Sequence, residues 1–163
     1  MFKTGVRNAE AIGLRAKDVN IEKNFIHIRE VLARSIKGSN ATARIRKETK
    51  NGKQRVLPLT DDLLEVIKPL LYNKKPDDLV FVSQTGKAID DAIFQKRVFQ
   101  KILSQLNIKH RVLYACRHTF NSRCIESGIS PVTTAFLMGN SPETALRSYT
   151  HLLSLPGALP DIK

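Results

Sequence analysis

Residues 114–120 read YACRHTF, and residues 137–141 read LMGNS. The pattern predicts a helix from about 115 to 127, which ends at a glycine. Serine before proline at the first helical position is a favoured helix start, and it occurs twice, predicting helices over 130–139 and 141–149. The carboxyl-terminal third of the chain is therefore predicted to be helical, with tight turns that carry polar side chains.

The segment before it changes to strand periodicity and back. Apolar residues within 18–32 surround the turn residue Asn24 and predict a strand or a strand pair. Strands over 43–47 and 54–59 are predicted to be joined around Asn51-Gly52, because Asn-Gly is the strongest short hairpin signal. The expected result is a three-stranded antiparallel sheet between residues 24 and 58. Helical patterns follow at 60–71 and 90–106, and a further helix is predicted near the start, after Thr4-Gly5.

Length and composition limit the classes of protein that fit. A chain of 163 residues with 42% hydrophobic and 26% charged residues suits one globular domain. No apolar run approaches the roughly 18 residues of a spanning helix, so we expect no integral membrane protein.

Cys116 and Cys124 fall in one predicted helix about 12 Å apart, too far for a disulfide, so we expect reduced thiols in an intracellular protein. Neither they nor the four histidines have metal-ligand spacing, so no metal site is predicted.

The charge points to a polyanionic partner. The net charge is +12, and residues 1–60 hold 14 Lys and Arg against 5 Asp and Glu. The densest part, from Arg34 to Arg55, has eight basic residues and one acid. A basic stripe is typical of proteins that bind the phosphate backbone. An interfacial membrane helix would interleave a large apolar face, which this stripe lacks, so nucleic acid is favoured over a membrane surface.

Three separate motifs place an Arg, Lys or Tyr beside a tight turn or a helix start. They are TGVRNAE at 4–10, TKNGKQRVLPL at 49–59, and the stretch 113–151 with its RHTF, LMGNS and YTH elements. In this order and at these separations they resemble the catalytic domain of the tyrosine recombinases, the phage integrase family. The resemblance covers Thr4 to His151, and its specificity comes from the combination, since each motif alone is common.

The resemblance implies roles for two arginines and their neighbours. Arg7 matches the family's first catalytic arginine, and Glu10 matches the acidic residue that supports it. Arg117 matches the second catalytic arginine. His118 is assigned a supporting role, orienting a neighbour or the phosphate region. Two guanidiniums suit this chemistry because phosphodiester cleavage builds negative charge on oxygens that each guanidinium can bind in a bidentate fashion.

The other implied positions concern proton transfer and the nucleophile. Lys50 matches the family's hairpin lysine, a plausible acid for the leaving 5′ oxygen, and Tyr149 matches the nucleophile. Tyr114 and Asn140 occupy places where the family usually has His, and His or Trp. Both can exchange hydrogen bonds, but neither titrates near neutral pH as His does. The expected catalytic set is thus Arg7, Lys50, Tyr114, Arg117, Asn140 and Tyr149.

Simpler interpretations stay open at this point. Arg7 with Glu10 can be a surface ion pair, Lys50 a solvated charge, and Tyr149 a partly buried aromatic. The departures at Tyr114 and Asn140 motivate one alternative function, a degenerate relative that mainly binds DNA. A second alternative is a type IB topoisomerase-like DNA relaxase, which would share the same pocket chemistry.

The resemblance also implies an organisation and partners. The fold expected is α+β, a mostly helical catalytic domain with a small three-stranded antiparallel sheet. Residues 1–151 would form the catalytic domain and 152–163 a carboxyl-terminal tail, with the amino-terminal core-binding domain of the family absent from this chain. The expected partner is double-stranded DNA, bound by a homotetramer in the synaptic complex, whereas the free protein is a monomer or weak oligomer. No cofactor and no membrane are expected, and the location is cytoplasmic, at the nucleoid when DNA is bound.

Overall fold

The computed structural model of the protein describes residues 1–34, 44–49, 52, 54–141 and 143. Within these ranges the chain is a mixture of helices and short antiparallel strands, which confirms the predicted α+β class. The strands are β1 (Val19–Asn20), β2 (Phe25–Ile28), β3 (Glu30–Arg34), β4 (Arg44–Glu48) and β5 (Arg55–Pro58). The helices are α1 (Asn8–Gly13), α2 (Asp61–Leu70), α3 (Asp91–Phe94), α4 (Gln100–Gln105), α5 (Ala115–Glu126) and α6 (Pro131–Met138).

The strands form two sheets rather than the single sheet predicted. A three-stranded antiparallel sheet has the order β1-β2-β5, and β3 pairs with β4 in a separate two-stranded sheet. The two strands predicted to flank Asn51-Gly52 therefore have different partners: β4 pairs with β3, and β5 pairs with β2. The local Asn-Gly signal was outweighed by the more distant pairing of β2 with β5, which buries Ile26 and Leu57 opposite each other.

The core lies between the three-stranded sheet and the helices that precede and follow its strands in the sequence. Alternation along β2 and β5 directs one face inward, with Ile26, Ile28 and Leu57 buried. These side chains pack with Val6, Leu14, Leu59, Ile67 and Val80. The inward face of β5 also carries Arg55, a charged residue that the hydrophobic pattern alone would not place there.

The helices predicted within the described residues are present, with one local difference. Between α3 and α4 the chain forms a π-helical segment, Gln95–Phe99, so the helix predicted at 90–106 has a widened middle turn. Asp90 caps its start by accepting a hydrogen bond from the backbone N–H of Ile93 at 2.9 Å. None of the helices in the described ranges is long and apolar enough to cross a membrane. The helix predicted at 141–149 and the tail lie outside the described residues.

Candidate active site

The carboxyl-terminal end of α6 is where the site is organised. Three successive backbone carbonyls accept hydrogen bonds from three different arginines: Leu137 from Arg55 at 2.7 Å, Met138 from Arg117 and Gly139 from Arg7, both at 2.8 Å. We call the carbonyl groups of residues 137–139 the carbonyl ledge. The last carbonyls of a helix lack partners within the helix and form the negative end of its dipole, so they attract cations.

The sequence of α6 accounts for the position of the ledge. Ser130 caps the start of the helix by accepting from the backbone N–H of Thr133 at 3.1 Å, and Pro131 takes the first helical position. Gly139 ends the helix with φ of 65°, a left-handed conformation that glycine adopts without strain. This turn brings the three carbonyl groups close to the side chain of the next residue, Asn140.

Asn140 connects the two arginines that the sequence identified. Its Oδ1 accepts from Nη2 of Arg7 at 2.9 Å and from Nη2 of Arg117 at 2.8 Å. Arg117 also donates to the carbonyl of Gly5, within the first motif. Arg7 and Arg117, which are 110 residues apart in the sequence, therefore meet at one acceptor.

Glu10 is the only carboxylate within hydrogen-bond distance of these arginines in the described part of the chain, and it is buried. Its Oε2 accepts from the backbone N–H of Arg7 at 2.8 Å, and its Oε1 accepts from Nη1 of Arg7 at 2.9 Å. Burial opposes ionisation, but hydrogen bonds and charge from Arg55 and Arg7 outweigh it and lower the pKa of Glu10. Glu10 therefore stays ionised, and its predicted supporting contact with Arg7 is present in the structure.

Arg55 is the functional-site residue that the sequence interpretation missed. It is 4% exposed, and its guanidinium faces Glu10 with Nη2–Oε2 at 2.7 Å and Nη1–Oε1 at 3.1 Å. The sequence carries a signal that could have found it. Arg55, Leu57 and Leu59 alternate along one strand, so an arginine shares the inward face with two leucines.

Arg117 is a buried cation that has no acidic partner among the described residues. It is 1% exposed, and no carboxylate of the described residues lies within ion-pair distance of it. Burial and the nearby charge of Arg7 lower the pKa of Arg117, although an arginine remains protonated. Three guanidiniums at the ledge face one carboxylate, so the cluster carries excess positive charge. Such a cluster is suited to bind an anion, because a buried charge is costly until it is paired.

Tyr114 and His118 lie at the start of α5, close in sequence to Arg117. Tyr114 takes the cap position and is 42% exposed. Its ring meets the imidazole of His118 edge-on, with centroids 5.2 Å apart. The exposed phenol is thus at the surface end of the helix whose first turn carries the buried Arg117.

Much of the basic stripe predicted to bind DNA is paired inside the protein. Four of its arginines contact acids: Arg34 and Arg44 contact Asp91, Arg46 contacts Glu30, and Arg55 contacts Glu10. The four arginines thus have acidic partners within the chain, and phosphate binding by the stripe stays a prediction. A pattern of charges in a sequence does not show which of them have acidic partners distant in the chain.

Two predicted residues, Lys50 and Tyr149, lie outside the described residues, so their roles rest on the sequence alone. Cys116 and Cys124 are free thiols, as predicted, and burial raises the pKa of both. Among the residues that the structure describes, no three His, Cys, Asp or Glu side chains are grouped as metal ligands.

Comparison with known proteins gives matches along nearly the whole chain. Residues 1–154 match the phage integrase family. A tyrosine recombinase XerC-like protein of Caldanaerobacter subterraneus is 25% identical over 93% of this chain and 44% of its own length. Tyrosine recombinase XerA of Saccharolobus solfataricus is 25% identical over 94% of this chain, again 44% of its own length. The chain thus spans less than half the length of these curated relatives.

Solved structures share the fold. The Tn1549 transposon integrase in complex with a circular intermediate DNA superposes with a TM-score of 0.76 at 22% identity, over 90% of this chain and 50% of that one. The XerH site-specific recombinase bound to its difH substrate gives 0.63 at 25% identity, over 92% of this chain and 40% of that one.

Proposed function

The chain belongs to the phage integrase family, and on that premise we propose that it cleaves and rejoins DNA strands at specific sites through a 3′-phosphotyrosyl intermediate. The observation that carries the proposal is the pair Arg7 and Arg117, held together by Asn140 in a cluster with excess positive charge. Both arginines arise from the motifs that define the resemblance. The pair offers two fixed cations to one phosphate, which is what the transition state of strand cleavage needs.

In the proposed reaction, the phenolic oxygen of Tyr149 attacks the scissile phosphorus. An O–P bond forms to the tyrosine as the bond to the 5′ oxygen breaks, leaving a 3′-phosphotyrosyl link and a free 5′ hydroxyl. Arg7 and Arg117 bind the non-bridging oxygens, where negative charge increases. Attack by a 5′ hydroxyl then reverses the step on the same or another strand. The phosphate ester energy is retained in the covalent link, so the scheme needs no nucleotide.

Two protons must move in this scheme. A tyrosine phenol ordinarily has a pKa near 10, and neighbouring cations would lower the pKa of Tyr149, so that its proton passes to water as the O–P bond forms. Lys50 would donate a proton to the leaving 5′ oxygen. Tyr114 would donate a hydrogen bond to a non-bridging oxygen from its exposed position, taking the place of the family's usual His. Asn140 would orient the arginines rather than transfer a proton, because an amide does not titrate in this range.

We propose double-stranded DNA as the substrate and a tetramer on two sites as the active assembly. The charge of +12 and the cationic cluster support a polyanionic ligand. The relatives with solved structures include the Tn1549 integrase and XerH, both in complexes with DNA. The chain would act as the catalytic domain over residues 1–151.

The test is the capture of the covalent complex on a labelled suicide substrate, a duplex nicked so that the cleaved end diffuses away. The wild-type chain should give a slowly migrating band in a denaturing gel, and Tyr149→Phe should give none at equal DNA occupancy. Tyr72→Phe, at an exposed tyrosine, is the matched control and should behave as wild type. A band that persists in Tyr149→Phe, or whose cross-linked peptide contains Tyr114, would assign the nucleophile elsewhere. DNA binding without any covalent band would favour the degenerate relative.

A further inference from the structure

We infer that Arg55 is a positioning residue of the active site, which sets the geometry of Arg7 through Glu10 and of Asn140 through the carbonyl ledge. The inference rests on the proposed function, since it concerns the arginine that would bind the scissile phosphate. Arg55 opens strand β5, and in the sequence it follows the proposed acid, Lys50, by five positions.

The first step of the argument is that Glu10 is fully occupied. Each of its two oxygens accepts two hydrogen bonds, one from Arg7 and one from Arg55. The bonds from Arg7 come from both its backbone and its side chain. Arg55 makes a bidentate contact, in which the planar guanidinium donates two hydrogen bonds to the planar carboxylate. Fixing Glu10 in this way fixes the backbone and side chain of Arg7.

The second step concerns α6. Nε of Arg55 donates to the carbonyl of Leu137 at 2.7 Å, which is the first carbonyl of the ledge. The next two carbonyls accept hydrogen bonds from Arg117 and Arg7, and the residue that follows them in the sequence is Asn140. Arg55 therefore bonds both to the carboxylate that holds Arg7 and to the helix end that holds Arg7 and Arg117. Strand β5, helix α1 and helix α6 meet at this one side chain.

The third step separates positioning from direct phosphate contact. Three N–H groups of Arg55 are donated to Glu10 and Leu137, and its charge is balanced by Glu10. Arg117, in contrast, has no carboxylate partner among the described residues. A phosphate would gain more from Arg117 than from Arg55, because Arg117 has no such partner. Arg7 also pairs with Glu10, but 22% of its side chain is exposed, against 3% for Arg55, so Arg7 can still reach a phosphate.

Arg55→Lys tests this role because lysine keeps the charge but cannot make the bidentate contact. We expect the first-order rate of covalent complex formation at saturating DNA to fall about 10- to 100-fold, as displacements near 1 Å can cause. The dissociation constant for uncleaved DNA should stay within about twofold of wild type. Arg29→Lys is the matched control, because Arg29 also contacts a buried aspartate, Asp18, through Nε at 2.6 Å. That variant should keep the wild-type rate.

A double-mutant cycle distinguishes action through Glu10 from direct action. In a Glu10→Gln background, Arg55→Lys should lower the cleavage rate by much less than it does in wild type. If the rate in the double variant falls by the product of the two single-variant factors, the two residues act independently. That result would contradict the inference and indicate that Arg55 contacts the phosphate itself. If Arg55→Lys does not fold, as judged by circular dichroism, Glu10→Asp withdraws the carboxylate from Arg55 and Arg7 by one methylene and should show the same loss of rate with DNA binding retained.

A readout that needs no cleavage separates this inference from the proposed function. The Nε–H signals of the arginines in a ¹⁵N spectrum can be assigned through Arg7→Lys and Arg117→Lys. Arg55→Lys should shift the Arg7 signal and accelerate its exchange with water, whereas Arg29→Lys should not. An unchanged Arg7 signal would overturn the inference even in a chain that cleaves DNA. A changed signal in a chain that forms no covalent complex would contradict the proposed function and leave the positioning role intact.

Discussion

Arg7 and Arg117 donate to the same oxygen atom, Oδ1 of Asn140, at 2.9 and 2.8 Å. Two guanidiniums repel each other, and a shared acceptor between them offsets part of that repulsion. Hydrogen bonds to charged groups contribute about 1.5–3 kcal/mol each, so the two contacts are a substantial part of what sets the separation of the cations. The amide oxygen thus fixes the two arginines in the protein without DNA.

Asn140→Ala should therefore disturb catalysis more than binding. With the shared acceptor lost, the guanidiniums separate, and we expect the rate of covalent complex formation at saturating DNA to fall about tenfold or more. Asn140→His retains a ring nitrogen that can accept and should recover part of the rate. Asn20→Ala, which removes an amide oxygen that accepts from the backbone N–H of Lys23, is the control. Wild-type kinetics in Asn140→Ala would show that the arginines do not depend on this contact.

Glu10 predicts a pH dependence of stability. Its folded-state pKa is lowered by Arg55 and Arg7 despite burial, so its contribution is complete above the ordinary pKa of a glutamate and is lost as the pH falls through the lowered folded-state value. Glu10→Gln leaves Arg55 buried without a counter-ion and should lower the free energy of unfolding by about 3 kcal/mol at pH 7.

The measurement is urea unfolding of both proteins between pH 7 and pH 3. The difference in unfolding free energy should stay constant down to about pH 5 and decrease below it. Glu22→Gln changes the same charge at an exposed position and should differ little from wild type at any pH. A difference for Glu10→Gln that grows toward acid pH would contradict the assigned ion pair.

The sequence predicted those parts of the site that depend on local signals. Ser130-Pro131 and Gly139 set the ends of α6, and these ends place the carbonyl ledge. The motifs around Arg7 and Arg117 predicted that the two arginines act together, and the contacts of Asn140 join them. In these cases a short stretch of residues fixes the backbone, so tertiary packing changes little.

Other features depend on partners distant in the chain, and these could not be predicted from the sequence. The partner of β4 is β3, across residues that read only as a polar basic stretch, so the Asn-Gly signal predicted the wrong pairing. Arg55 is one of 27 Lys and Arg residues, and its alternation with Leu57 and Leu59 indicates an inward position without identifying Glu10 as its partner. Burial of a charge follows from the whole fold, because the partner that makes burial tolerable comes from another element.

Lys50→Ala should slow cleavage far more than it weakens DNA binding. As the proposed general acid, Lys50 acts only on the leaving 5′ oxygen, whose protonation matters in the transition state and not in the bound substrate. A substrate with sulfur at the 5′-bridging position needs no acid, because thiolate is a better leaving group, and should restore most of the rate. Comparing both substrates in wild type, Lys50→Ala and Lys47→Ala measures this directly. Failure of the sulfur substrate to rescue Lys50→Ala would reduce the role of the lysine to charge stabilisation.

Replacing Asn121 with alanine should stabilise the protein. Asn121 is fully buried in α5, and neither atom of its amide has a hydrogen-bond partner in the part of the chain that the structure describes. A buried polar group without a partner costs about 1–3 kcal/mol, so Asn121→Ala should raise the free energy of unfolding by about 1 kcal/mol after the smaller side chain is allowed for. Ser122→Ala, next to it in the helix, measures the gain from helix propensity alone. A loss of stability in Asn121→Ala beyond that control would indicate that the amide is satisfied.

Gly139 and Gly128 form a matched pair that isolates the packing of the carbonyl ledge. Both follow a helix with positive φ, 65° and 81°, so alanine meets the same backbone penalty of about 1–2 kcal/mol at either position. A Cβ at Gly128 would meet no atom of the described residues within 4 Å, whereas one at Gly139 would lie 2.7 Å from Nη1 of Arg55 and 3.3 Å from Nη1 of Arg7.

Gly139→Ala should therefore cost more than Gly128→Ala, and the excess reports the displacement of the two arginines. We expect Gly128→Ala to lower the free energy of unfolding by the backbone penalty alone and to keep the cleavage rate. Gly139→Ala should lose further stability, and its covalent complex should form at least tenfold more slowly at saturating DNA, because Arg7 cannot keep both Glu10 and the carbonyl ledge as partners. Urea unfolding and single-turnover cleavage of the two variants, compared side by side, decide the matter. Equal losses in both would mean that the ledge tolerates a methyl group and that the close approach of Arg55 to Gly139 does not constrain the site.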